Sequence, residues 1–316
     1  MFSKSQFRVL SNLIQNAKQE VPISTLASQL DWSQSHTSRV VDALETNGHL
    51  HTTKRGRKKR VTIADTEPIE DLKPLLTEYA HIDFADHVTG GALEILYYLN
   101  QPRTATELAD RTTISRATVY RRLNDLQSVG IVNKTNSQYA LNDDFTSLSS
   151  IARSLAHHEH RREAERHTTG VNIIWETHAE YLLACDTHIE DATFHLTGTH
   201  RFEDYGIPLI PQSRTHYFHS EQPTAVTPED LVCHTLLVDD GPRSQTYCLL
   251  LLAHKSLDHH VLHDRAAHYE PEATLPLTNT IDNLLAYLET QGADTTPQLP
   301  AWTDFKSTAA DYGIHL

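Results

Sequence analysis

Apolar positions in the N-terminal half fall into stripes of helical period. Phe7, Leu10, Leu13 and Ile14 form one, and Val41 with Leu44 another. Leu93, Leu96 and Leu99 form a third, and Val119, Leu123 and Leu126 a fourth. The stripes recur because the sequence does. Shifted by 82 residues, TLASQLDWSQSHTSRVVDALETNGHL at 25–50 aligns without a gap on ELADRTTISRATVYRRLNDLQSVGIV at 107–132. Leu26 meets Leu108, Ala27 meets Ala109, Ser33 meets Ser115, Arg39 meets Arg121, Leu44 meets Leu126 and Gly48 meets Gly130.

Each copy reads as helix, turn, helix. In the second copy Thr106 caps a short helix over 107–111 and a turn follows at 112–114. Ser115 then caps a helix running to Ser128. Gly130 stands where a left-handed residue ends a helix. Ser33 and Gly48 play these parts in the first copy. A further amphipathic helix precedes each pair, so three helices supply each core. After the first copy, HLHTTKRGRKKRVTIAD predicts strands at about 50–53 and 60–63 around a glycine-containing turn. After the second, IVNKTNSQYALN predicts a shorter, nearly uncharged hairpin.

The remaining segments read differently. Residues 66–87, TEPIEDLKPLLTEYAHIDFADH, are expected to be an acidic linker in which Pro68 and Pro74 break any long helix. Residues 146–170 are expected to form a connector or dimerisation helix with the stripe Leu148, Ile151 and Leu155. Residues 171–316 mix strand-like pieces (171–175, 192–196, 216–219) with helix-like ones (229–237, 257–269, 279–290, 302–312). Tyr247–Ala253 fits a buried helix or a buried strand equally well.

Charge sharpens this division. The chain carries a net charge of −14, but residues 1–65 carry +5 and residues 88–145 are neutral. The linker carries −5, the connector +1 and residues 171–316 carry −15. Binding to nucleic acid depends on local rather than net charge, so a basic N-terminal module beside an acidic C-terminal half remains compatible with it. Lys54, Arg55, Arg57, Lys58, Lys59 and Arg60 place six cations in seven residues of the first hairpin. The helix faces left outside each core carry Gln34, Ser35, His36, Ser38 and Arg39 in one copy and Arg116, Thr118, Arg121 and Arg122 in the other. With the caps Ser33 and Ser115, these are the candidate contacts to double-stranded DNA. Helix residues would reach base edges, and hairpin cations would reach phosphates.

Both copies resemble the winged helix-turn-helix domains of MarR-type and related archaeal regulators, on SRATVYRRLNDLQSVGIV above all. The resemblance covers about 140 residues. It implies a multidomain fold: winged helix-turn-helix domains, mainly α with β-hairpin wings, at 1–65 and 88–145, followed by an α+β C-terminal domain at 171–316. It also implies a DNA-binding transcription regulator, acting as a repressor and a homodimer, with recognition helices in the major groove. The C-terminal run LTGTHRFEDYGIPLIPQSRTHYFHS, with PEDLVCHTLL, TYCLLLLAHK, LHDRAAHYE and PAWTDFKSTAADYGI, is similar to the C-terminal domain of abortive-infection-type antitoxins. That similarity implies a second reading, an autoregulating antitoxin whose partner is a nucleotidyltransferase-like toxin. Tandem rather than single winged helices depart from that pattern. A third reading is an effector-sensing regulator with a small-molecule site in the C-terminal domain.

Other chemistry finds little footing. His259 and His263 stand at i, i+4, but no HExxH occurs and the chain holds 22 histidines throughout, so no metal site is expected. There is no GxSxG nucleophile motif. Thr197-Gly198-Thr199 followed by Asp204 resembles a nucleotidyltransferase metal site, yet Gly206 stands where a second carboxylate is needed. The expectation is a non-enzyme without cofactor. Cys185, Cys233 and Cys248 show no CxxC pairing and suit neither a disulfide framework nor a zinc ribbon. No run reaches the ~18–20 apolar residues that span a bilayer, and the N-terminus lacks a signal-peptide core, so a cytoplasmic protein without membrane contact is expected. Lysine is scarce beside arginine while Asp, Thr and His abound, a composition suited to a halophilic archaeal cytoplasm.

Overall fold

The aligned halves of the repeat fold into the same order of elements. The first gives α1 (Lys4–Gln15), β1 (Val21–Pro22), α2 (Ile23–Leu30), α3 (Gln34–Thr46), β2 (Leu50–Arg55) and β3 (Lys58–Ile63). After α4 (Glu67–Glu78) and α5 (Phe84–His87), the second gives α6 (Gly91–Tyr98), β4 (Arg103–Thr104), α7 (Ala105–Arg111), α8 (Arg116–Ser128), β5 (Val132–Thr135) and β6 (Gln138–Leu141). Each hairpin is joined by the short strand that precedes its helix pair, giving antiparallel sheets of order β1-β3-β2 and β4-β6-β5. The computed structural model describes residues 2–16, 20–56, 58–210, 213–221 and 225–316. The chain divides into two units, residues 1–162 and 163–316, and is a multidomain protein of mixed helix and sheet.

Local chemistry sets the helix ends. Thr104, not Thr106, caps α7: its hydroxyl accepts from the Glu107 N–H, and the Glu107 carboxylate accepts from the Thr104 N–H in return. This reciprocal pair satisfies two orphan donors, which a lone cap at Thr106 could not do. α3 and α8 end alike. His49 N–H donates to Leu44 O and Gly48 N–H to Glu45 O, while Ile131 N–H donates to Leu126 O and Gly130 N–H to Gln127 O. Both glycines take positive φ, +79° and +75°, as this helix stop requires.

Residues 66–87 depart from the expected linker. Pro68 lies in the first turn of α4, where its missing N–H costs nothing, and Pro74 lies inside the helix. An interior proline costs about 3 kcal/mol. Against this, Ile69, Leu72, Leu75 and Leu76 are fully buried, each contributing about 1.5–3 kcal/mol. Burial outweighs the proline. The acidic residues Glu67, Glu70, Asp71 and Glu78 face solvent. α4 and α5 pack on α1, and one continuous core runs from Phe2 to Ala156 through both copies of the repeat.

α9 (Ser147–Ala164) closes this core. Its stripe of Leu148, Ile151 and Leu155, expected to belong to a connector or a dimerisation helix, is buried in the core of its own chain. The stripe is therefore occupied without a partner.

The second unit holds β7 (Asn172–Glu176), β8 (Glu180–Cys185), β9 (Phe194–Thr197) and β10 (Thr215–Ser220) in an antiparallel sheet of order β7-β8-β10-β9. The helices are α10 (Pro228–Val238), α11 (Pro242–His254), α12 (His259–Tyr269), α13 (Leu277–Glu289) and α14 (Trp302–Asp311). Trp175, Leu182 and Phe218 of one sheet face share a core with these helices. Tyr181, Leu183, Cys185 and Tyr217 of the other form a smaller cluster with Ile189, Phe194 and Ala164. Tyr247–Ala253 lies in α11, and β8 is an inner strand that the sequence pattern did not announce. Among the described residues no helix is long and apolar enough to cross a membrane.

Three histidines are buried as neutral groups. Desolvation lowers the pKa of His49 to about 3 and those of His216 and His234 to about 4. In the unfolded chain each takes a proton near pH 6.5. The unfolded state thus binds more protons between pH 6.5 and the folded values. Stability is full above pH 6.5 and falls with acidification by up to about 1.4 kcal/mol per pH unit for each histidine. Urea unfolding at pH 7, 5.5 and 4.5 is expected to show this decline, and a flat profile would contradict it.

Candidate nucleic-acid interface

The second helix of each pair presents a polar face. In α3 the apolar positions Val40, Val41 and Leu44, with Thr37, turn inward. Gln34, Ser35 and Arg39 are exposed. Ser33 is the cap, its hydroxyl accepting from the His36 N–H at 3.2 Å. His36 is half-buried against Trp32, with ring centroids 4.7 Å apart, and the Ser38 hydroxyl reaches Asp42 at 3.4 Å. In α8, Val119, Leu123 and Leu126 turn inward. Ser115 caps the helix by accepting from the Thr118 N–H at 3.3 Å, and the Ser115 and Thr118 hydroxyls lie 3.0 Å apart. Arg116 and Arg121 are exposed. Arg122 is not equivalent to them. It is half-buried, 4.0 Å from Asp125, and its Nε is buried without a hydrogen-bond partner among the described residues. Tyr120, which sequence reasoning passed over, is 40 % exposed on the same face, with the Arg116 guanidinium 5.9 Å from its ring centroid. An aromatic out of step with the buried stripe was the signal available for it.

The first hairpin is longer than its pattern indicated. Its strands run to Arg55 and from Lys58, with Arg55 opposite Lys58, so Lys54, Arg55, Lys58, Lys59 and Arg60 sit on paired strands rather than on a loose tip. Alternation sends Lys54 and Lys59 to the face that carries buried Leu50 and Val61 further along, and Arg55, Lys58 and Arg60 to the other. Three of these cations have internal partners. Lys59 reaches Asp42 at 2.5 Å and Glu45 at 3.3 Å. Desolvation works against its charge, but the hydrogen bonds to the two carboxylates outweigh it and raise its pKa. Glu20 draws Arg55 and Arg60, at 3.6 and 3.5 Å. Lys54 and Lys58 are exposed and make no ion pair among the described residues. Arg57 lies outside the described residues. In the second hairpin Lys134 lies over the Tyr139 ring, 5.0 Å from its centroid.

α9 supports the far end of α3. His158 Nε2 donates to the Asn47 carbonyl at 2.7 Å, and Arg162 reaches the Thr46 carbonyl at 3.5 Å. These carbonyls carry the negative end of the helix dipole, where cationic and donor groups are favourable. Neither residue was legible as a partner of α3, more than 100 positions away.

Other reactive groups are engaged within the fold. In the second unit the Thr197 hydroxyl lies 2.9 Å from His234 Nδ1, whose Nε2 lies 2.8 Å from the Tyr269 hydroxyl. Tyr269 donates in turn to Asp230 at 3.0 Å, and Arg265 lies 3.4 Å from the same carboxylate. Asp204 pairs with Arg201. His263 donates to Asp282 at 2.8 Å and contacts the His259 carbonyl at 2.6 Å. The Asp282 bond, then the carbonyl, raises its pKa, so its ring nitrogens serve the fold.

Three stretches of the chain match family models. Residues 5–64 match a domain of unknown function (DUF7343), and residues 191–314 match a C-terminal domain family (HVO_2833_C). Residues 92–135, from α6 into β5, match a helix-turn-helix domain. No curated protein matches the chain. The chain carries a helix-turn-helix domain whose second helix, α8, exposes Arg116 and Arg121, and that domain points to DNA-binding regulation.

Proposed function

We propose that the chain is a sequence-specific transcription regulator that binds double-stranded DNA through two winged helix-turn-helix modules. One observation carries this reading: α3 and α8 are capped, packed and terminated alike, and each turns a polar, arginine-bearing face to solvent. In this reading α8 presents Arg116 and Arg121, and α3 presents Gln34, Ser35 and Arg39, to base edges in successive major-groove segments. Their different residues suit a composite site of two unlike halves. The first hairpin holds the backbone, chiefly through Lys54 and Lys58, while Arg55, Lys59 and Arg60 exchange a surface carboxylate for phosphate at little cost. Binding rather than catalysis is also the role proposed for the second unit, because Thr197, His234 and Tyr269 are buried and mutually hydrogen-bonded. A homodimeric repressor fits this scheme, and its interface would lie elsewhere than the α9 stripe.

The test is a titration against the DNA upstream of the gene. Affinity is expected to exceed that for a scrambled duplex and to fall linearly in log K against log salt. Lys54→Ala with Lys58→Ala is expected to lessen that slope by about 1.8, at about 0.9 per phosphate contact, and to weaken all duplexes alike. Equal affinity for upstream and scrambled DNA would overturn the reading.

A further inference from the structure

The second unit contains a cavity of about 490 Å³ between the end of α11, α13 and α14. This lies in the range of small-molecule sites, ~300–1,000 Å³. Leu252, Leu285, Leu288 and Trp302 supply apolar walls, and Lys255 and Glu289 stand among its polar lining. Glu289 is exposed, where water screens its charge. Lys255 is half-buried.

Cations are scarce here, and their pairing singles out Lys255. Residues 171–316 hold six Lys and Arg against 21 Asp and Glu. The other half-buried cations each have a carboxylate: Arg201 has Asp204 at 3.1 Å, Arg214 has Asp186 at 3.2 Å and Arg265 has Asp230 at 3.4 Å. Lys255 has none within 4.0 Å among the described residues, despite the surplus of acid around it. An unneutralised ammonium beside an apolar cavity is the arrangement that receives an anion with an apolar body.

We infer that this cavity binds a small amphipathic carboxylate, its chain or ring against Leu252, Leu288 and Trp302 and its carboxylate on Lys255. Such a ligand would bridge three helices and so bias their packing, which would make it an effector if the chain is a regulator. That consequence rests on the function proposed above, but the binding does not.

The experiment uses the full-length chain with octanoate and octan-1-ol, which differ in charge. Octanoate is expected to change tryptophan fluorescence saturably and to release or absorb heat on titration. Trp302→Phe is expected to abolish the fluorescence change while the heat remains. Lys255→Met is expected to weaken octanoate at least tenfold and to leave octan-1-ol within twofold, with an unchanged thermal melt. Absence of saturable heat with octanoate would overturn the proposal, as would equal octanoate affinity in wild type and Lys255→Met. No DNA is present, so this failure is distinguishable from failure of the regulator reading.

Discussion

Arg116→Ala combined with Arg121→Ala is expected to lower affinity for the specific duplex by about two to four orders of magnitude. An arginine read out against a base edge contributes about 1–3 kcal/mol of discrimination, and the two side chains stand on the exposed face of α8. The loss should be selective. Affinity for scrambled DNA should fall much less, because non-specific binding draws on phosphate contacts, which the proposed scheme assigns to the hairpin cations. Arg122→Ala is the internal comparison. Its half-buried guanidinium beside Asp125 predicts a small effect on sequence preference. A double variant that loses specific and non-specific affinity equally would assign both arginines to the backbone. One that loses neither would remove α8 from the interface.

Leu155→Ala is expected to cost about 2–5 kcal/mol of unfolding free energy, a large share of the about 5–15 kcal/mol typical of a domain. Leu155 is fully buried, and α9 has little freedom to collapse onto the space left by its side chain while buried Leu148 and Ile151 hold the preceding turns of the helix in the same core. The measurement separates two roles for the stripe. A side chain packed within its own chain gives a denaturant midpoint independent of protein concentration. One packed across a dimer gives a midpoint that rises with concentration. The burial of all three stripe residues within one chain predicts the first outcome.

The features legible in the sequence were those with local causes. Ser33, Ser115, Gly48 and Gly130 mark helix ends by chemistry confined to a few residues, and the spacing of Val119, Leu123 and Leu126 fixes the inward face of α8. The matched order of elements in both copies follows from such signals. Long-range pairing left no local trace. Glu20 lies 35 and 40 residues from the Arg55 and Arg60 that it draws, and Asp42 and Glu45 take Lys59 only because β3 folds back along β2, which packs on α3. A count of hairpin cations therefore overstated those without internal partners. α4 was hidden by Pro74, whose local cost was visible while the core that offsets it was not. β8 was missed because Tyr-Leu-Leu-Ala-Cys, packed on both faces, lacks the alternation of a half-exposed strand. The exposure of individual side chains on α8 is the least legible layer, since Tyr120, which sequence reasoning passed over, is exposed and Arg122, expected on the outer face, is half-buried.

Gly48 and Gly130 occupy matched positions but do not carry the same freedom to change. At Gly130 only the sign of φ is demanding, since a Cβ there would meet nothing within 4 Å. Asparagine, which tolerates the left-handed region, satisfies that demand. At Gly48 a Cβ would also lie 3.3 Å from Arg162 Nε, the group that approaches the end of α3. One site is held by backbone geometry alone, the other by geometry and by a neighbour distant in sequence. Descendants of such a chain can drift more readily at Gly130 than at Gly48. Variation among relatives at this pair of glycines thus becomes a record of whether α9 still rests on the first module.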